Sequence, residues 1–189
     1  MNADIGGGKW DLTTEFLALH GVRNIIFDPF NRSTAWNDAA LREIRELSES
    51  GHLTTSTVAN VLNVIREPEV RAEVIQLAAL SPRAYFSVYE GDRSGVGKQT
   101  RDGWQENRRI QDYVAELEPY YGTRGISVFT VGGARFIEAL RAGVDQVGAG
   151  DVSRPCHSRQ ITSATRSSPR DPAGGTAPAA TRSANRPGR

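Results

Sequence analysis

The chain has 189 residues, with 23 basic and 22 acidic side chains and a net charge of +1. That length allows one domain with a substantial core plus an extension. A single cysteine, Cys156, excludes an internal disulfide or a cysteine metal cluster, and the scattered histidines His20, His52 and His157 argue against a metal site. No apolar run reaches membrane-spanning length and no signal peptide precedes Asp4, so a cytoplasmic, membrane-free protein is expected.

In chain order, Ala3-Asp4-Ile5 reads as the end of a strand, and Gly6-Gly7-Gly8-Lys9 as the turn after it. Only Met1-Asn2-Ala3 precede Asp4, so this first strand is expected to be truncated, through an upstream start or a degenerate copy. Asp11 is placed to cap a helix whose apolar face is Phe16, Leu17 and Leu19, with Gly21 at its C-terminus. Residues 22–27 form a buried strand ending on Asp28. Residues 38–47 read as a helix with Leu41, Ile44 and Leu47 inward, and run almost directly into a strand over 53–59. A third strand of the usual alternation is thus missing.

Asn60-Val61-Leu62-Asn63-Val64-Ile65 follows, then a helix with Pro68 in its first turn, Val70, Val74 and Leu77 inward, and Ser81-Pro82 as its stop. Residues 84–89 are the next strand, and residues 90–102 a polar loop with three glycines, suited to closing over a substrate. Trp104, Ile110, Tyr113, Val114 and Leu117 mark another helix, ended by Pro119. Residues 126–131 are a strand, and residues 135–140 are ambiguous. This alternation predicts an α/β domain over residues 1–150 with a mostly parallel sheet.

Ligands of such sheets lie beyond the carboxyl ends of the strands, where glycines and polar side chains converge here. Gly6 and Gly8 begin a dinucleotide fingerprint, but Asp11 stands where its third glycine belongs. The pattern Asp4-x-Gly6-x-Gly8 suits S-adenosylmethionine better, and Asp28 is placed to accept hydrogen bonds from ribose hydroxyls. An ordinary strand-to-helix turn would carry the same glycines, and Asn60 and Asn63 could simply cap local backbone. A phosphate-binding loop ending at Gly97-Lys98 fails, since it needs glycine at position 92 and Ser or Thr at 99, where Asp92 and Gln99 stand.

With these pieces placed, the chain resembles the class I S-adenosylmethionine-dependent methyltransferases. The resemblance covers about residues 2–140 and is carried by Asp4-Ile5-Gly6-Gly7-Gly8-Lys9, Asp28 and Asn60-Val61-Leu62-Asn63. More narrowly, it resembles a phage-like, methyltransferase-type group of uncertain substrate. The signs there are Phe27-Asp28-Pro29-Phe30-Asn31-Arg32, Val88-Tyr89-Glu90-Gly91-Asp92, Ser94-Gly95-Val96-Gly97-Lys98 and Trp104-Gln105-x-Asn107. The resemblance implies a Rossmann-like methyltransferase sandwich, with Asp4, Gly6, Gly8, Asp28 and Asn60 binding S-adenosylmethionine. Glu90 is the candidate general base, and Tyr89, Lys98, Gln105 and Asn107 the candidate acceptor-binding residues. The acceptor is open: Val61-Leu62-Asn63 after Asn60 argues against amino-methylation of nucleic-acid bases, and no Pro-Cys nucleophile occurs before the tail. The alternatives are an inactive remnant or cofactor-binding module of the same fold and, behind it, an NAD-dependent dehydrogenase.

Residues 151–189 carry seven arginines against two aspartates, a net of +5 that leaves −4 for residues 1–150. This tail also holds five of the nine prolines and is rich in Ser, Thr, Ala and Gly, so it is expected to be disordered. Its charge would permit nucleic-acid binding without any motif for it.

Overall fold

A computed structural model of the chain describes residues 1–101 and 103–143; the expected tail and the boundary near residue 150 lie outside them. The elements are β1 (Asn2–Ile5), α1 (Leu12–Leu19), β2 (Asn24–Phe27), α2 (Thr34–Glu49), β3 (Thr55–Ala59), α3 (Pro68–Ala78), β4 (Arg83–Ser87), β5 (Lys98–Thr100), β6 (Gly103–Gln105), α4 (Val114–Tyr121), β7 (Ile126–Val131) and β8 (Ala134–Leu140). Six strands form one sheet in the order β2-β1-β3-β4-β8-β7, and β5 and β6 form a separate hairpin. β1 to β4 run parallel, while β8 runs antiparallel to both β4 and β7. The domain is therefore mixed α/β with a mostly parallel sheet, as the alternation predicted.

β1 is only four residues long, yet it pairs on both sides, Asp4 lying opposite Ile26 and Thr57. Among the described residues β2 is the sheet edge, and α2 carries the chain back across β1 to β3. The order of strand addition thus reverses between β1 and β3. Such a reversal parts the connections leaving two neighbouring strands and opens a crevice at their carboxyl ends.

Alternation along β1 gives the sheet two unlike faces. Ala3 and Ile5 point to one, where Ile44 of α2, Ile75 of α3 and Leu117 of α4 complete two continuous apolar clusters. Asn2 and Asp4 point to the other, where among the described residues only α1 lies, holding Asn24 Nδ2 at 3.0 Å through Thr14 Oγ1. On that face Asn2 Nδ2 donates to Asn24 Oδ1 (2.7 Å) and Thr57 Oγ1 (3.0 Å), and Thr57 Oγ1 donates to Asp4 Oδ1 (3.1 Å).

Several sequence expectations change. The predicted apolar face of α1 is not buried: Phe16 is 59% and Leu19 84% exposed, because the face beneath is a polar ladder rather than a core. Asp11 caps nothing and instead pairs with Arg32 (2.8 Å). α2 begins earlier than expected because Ser33 accepts the Trp36 N–H as its N-cap. On α3 the buried positions are Arg71, Ile75 and Ala78, with Val70 exposed, so the inward stripe is rotated from the predicted one. Trp104 lies in a strand, not a helix, and α4 continues through Pro119 because Leu117 and Tyr121 are both buried. Residues 134–140 are a strand.

Candidate functional site

The strand reversal opens a cleft of about 1020 Å³. Its floor is Ile5, Gly6 and Phe27; its walls are Leu41 and Arg45 of α2 and Val70, Glu73 and Val74 of α3; Trp104 and Gln105 of the β5–β6 hairpin close its far end. Apolar walls with a few polar groups are what a small organic ligand needs.

The glycine loop is held by its own contacts. Gly6 has φ +75° and donates its N–H to Phe27 O (2.8 Å), and a Cβ there would overlap Val61. Gly8 has φ +76° and donates to Asp28 Oδ2 (2.8 Å). The buried Asp28 carboxylate also accepts from the N–H groups of Phe30 and Asn31 (both 2.9 Å) and from Asn31 Nδ2 (3.0 Å). A carboxylate has about four lone-pair sites. All are taken by protein donors, so Asp28 ties the β1 loop to the turn after β2.

Two residues missed from the sequence finish this junction. Buried Asn37 accepts the Asp28 N–H (2.8 Å) and donates to the Asp28, Arg32 and Ser33 carbonyls (3.0–3.1 Å). Arg32 Nε donates to Gly8 O (2.9 Å) while its guanidinium lies over Trp36. An asparagine in the first turn after a serine cap was the available signal for the first; Arg32 had none.

Asn60 ends β3 in the left-handed region at φ +57°, a conformation that asparagine tolerates better than most residues. Its side chain lines the cleft and makes no hydrogen bond among the described residues. Asn63, by contrast, is buried away from the cleft, its Nδ2 3.4 Å from Gln105 Oε1, and its carbonyl accepts the Glu106 N–H (2.7 Å). These contacts hold the hairpin over the cleft.

Of the ten predicted site residues, the cleft gathers Gly6, Asp28, Asn60 and Gln105. Gly8 stands behind Asp28, and Asp4 lies on the opposite face of the sheet. Glu90 is held away from the cleft: Oε1 accepts the Ile110 N–H (2.8 Å), and Arg93 (2.6 Å) and Arg135 (3.6 Å) pair with the carboxylate. Tyr89 is 65% exposed, and Lys98 sits 3.8 Å from Asp92. Asn107 is buried and staples the preceding loop, donating to Val96 O (2.8 Å) while its carbonyl accepts the Gly95 N–H (2.8 Å). Trp104 and Gln105 are neighbours in β6 and point to opposite sides, and Asn107 follows that strand rather than lying in the helix predicted from Trp104 onward.

The hairpin is anchored by charge. Buried Arg71 of α3 donates to Glu116 of α4 (2.7 and 3.2 Å) and to the carbonyls of Ile65 and Arg66 (both 2.9 Å), with Glu106 at 3.8 Å. Arg108 adds a second contact to Glu116 (2.6 Å). Burial alone would raise the Glu116 carboxyl, but the two guanidiniums hold it below the ordinary carboxylate value. Burial pushes the Tyr113 hydroxyl beside them up to about 12.

No protein-family model matches this chain, and no curated protein matches it. Among the described residues, no three His, Cys, Asp or Glu side chains gather in a metal-holding group, and no helix is long and apolar enough to cross a membrane.

Proposed function

We propose that the domain is a Rossmann-like methyltransferase sandwich lacking its third strand. In this reading it binds S-adenosylmethionine in the cleft and directs its methyl group to an acceptor held near the β5–β6 hairpin. One observation carries this reading: the order of strand addition reverses between β1 and β3, and the cleft opens there, with Gly6 on one side and Asn60 on the other.

The residues present fit a nucleoside-bearing cofactor in volume and in polarity. A cleft of about 1020 Å³ leaves room for an acceptor as well. Because the Asp28 oxygens are occupied, ribose hydroxyls would be met by the unpaired Asn60 side chain and by Asn31 Oδ1, with Asp28 fixing the loop that presents them. Phe27, Val61 and Leu77 supply apolar contact, and Trp104 and Gln105 shield that end from water. The cofactor supplies an activated methyl group, transferred by in-line displacement, so the chain's contribution is positioning and exclusion of water. An acceptor that is already nucleophilic needs no base, which is compatible with Glu90 being pinned elsewhere.

That pinning also favours a second reading, a cofactor-binding module without turnover. Calorimetric titration of the full chain tests both. Saturable heat with S-adenosylmethionine, weakened roughly five- to tenfold by Asn60→Ala through loss of about 1 kcal/mol of hydrogen bonding, is the expected result. Binding of NAD instead would turn the reading to the dehydrogenase, and no heat with either would overturn it. Binding without methylated product from a panel of small molecules, nucleic acids and proteins would select the module.

A further inference from the structure

The two edges of the main sheet are finished differently. At β2, Trp36 Nε1 donates to Ile26 O (2.9 Å), and an Arg23–Glu43 ion pair ties the start of the strand to α2. Native sheets close their edges by such devices. β7, at the other edge, has none among the described residues. Its sequence Ile126-Ser127-Val128-Phe129-Thr130-Val131 has no charge and no proline, and all but Ser127 are β-branched or aromatic. Val128 and Val131 are 37% and 60% exposed.

The hairpin turn fixes which backbone groups face outward. Gly132 and Gly133 both have positive φ (57° and 85°), as a two-residue type I′ turn requires. In such a turn the closing pair, Val131 and Ala134, exchanges N–H···O bonds, and alternation then turns Phe129 and Ser127 toward β8 as well. The N–H and C=O groups of Val128 and Thr130 point out of the sheet.

We propose that β7 pairs antiparallel with β7 of a second copy of this chain, about a two-fold axis at Phe129, joining two sheets into one. A strand paired with itself closes under two-fold symmetry, so the edge disappears from both copies at once. In this register Val128 of each copy meets Thr130 of the other, and their outward groups bond each other. Phe129 stacks on Phe136 (centroids 5.6 Å apart), so the axis brings both such ring pairs together on the face that no helix of the described residues covers there. No charged side chain on the strand opposes the contact.

Sedimentation equilibrium of the full chain across the micromolar range is the test, with Val128→Pro and Val128→Lys as variants. Val128 gives its N–H to the outside, so proline there spares the β7–β8 ladder and should leave the circular dichroism unchanged. The wild-type chain should be a dimer and both variants monomers. The Thr130 amide should be protected from hydrogen exchange in the wild type and exchange freely in Val128→Lys. A wild-type monomer overturns the proposal, whether or not that amide is protected by other residues of the same chain. So does a dimer that both variants leave intact.

Discussion

The two faces of the sheet obey different rules. The face of Ala3, Ile5, Val58 and Phe86 is apolar and roofed by α2, α3 and α4. The face of Asn2, Asp4, Thr57 and Tyr85 is polar, bonded side chain to side chain, and among the described residues carries one short helix that buries none of its own residues. The strand order explains the difference. One crossover, from β1 to β2, goes toward the near edge and places α1 on the polar face; those to β3 and β4 go the other way, placing α2 and α3 opposite. A face with a single crossover cannot be roofed from these residues, and its side chains are the kind that water and cross-strand hydrogen bonds satisfy. The cleft opens on the roofed side, so stability and the candidate site depend on the same helices.

Substitutions matched across the two faces would break or sharpen this contrast. Phe86→Ala, in the apolar cluster, should cost about 4 kcal/mol by leaving a cavity, read as a fall in urea midpoint. Arg71→Ala should cost about 3 kcal/mol, because it leaves partly buried Glu116 with Arg108 alone and releases the Ile65 and Arg66 carbonyls. Tyr85→Ala, one residue from Phe86 but on the polar face, should cost only about 1 kcal/mol, losing its bond to Glu138 (3.1 Å). A Tyr85 loss as large as that of Phe86 would mean the polar face is covered in solution.

Asp4 gives a smaller effect with a definite sign. Burial raises its carboxyl above the ordinary value despite hydrogen bonds from Thr57 and Asn24, and the Asp28 charge raises it further. The native state therefore holds this proton more tightly than the unfolded chain. Its contribution to stability is present below the unfolded value near 4 and is lost as pH rises through the native one. Asp4→Asn should raise the urea midpoint at pH 7 and give a shrinking advantage toward pH 3. Smallest of all, Phe16→Ser on α1 should change stability by no more than about 0.5 kcal/mol, since the ring is mostly exposed.

Much of this architecture was legible in the sequence. Residues 24–27, 55–59 and 126–131 announce strands by their β-branched runs, and Pro68 announces the start of α3. The face of a helix was harder to read. Phe16 and Leu19 have the spacing of a core stripe, but whether a stripe is buried depends on the sheet face beneath it. Arg71 reads as a surface residue until Glu116, 45 positions away, arrives to pair with it. The site residues divide in the same way. Gly6, Asp28 and Asn60 stand at strand ends whose place follows from topology. Glu90 and Asn107 follow β4 without a topological constraint on where their side chains go, and both are used by the local backbone.

Hydrogen exchange of the full chain with and without S-adenosylmethionine tests the central claim most directly, because it reports where a ligand sits as well as whether it binds. Added protection gathered at residues 6–8, 60–65 and 103–105, around the crevice where the strand order reverses, is the predicted result. No change at those segments, or protection confined to the polar face around Asn24 and Thr57, would contradict it.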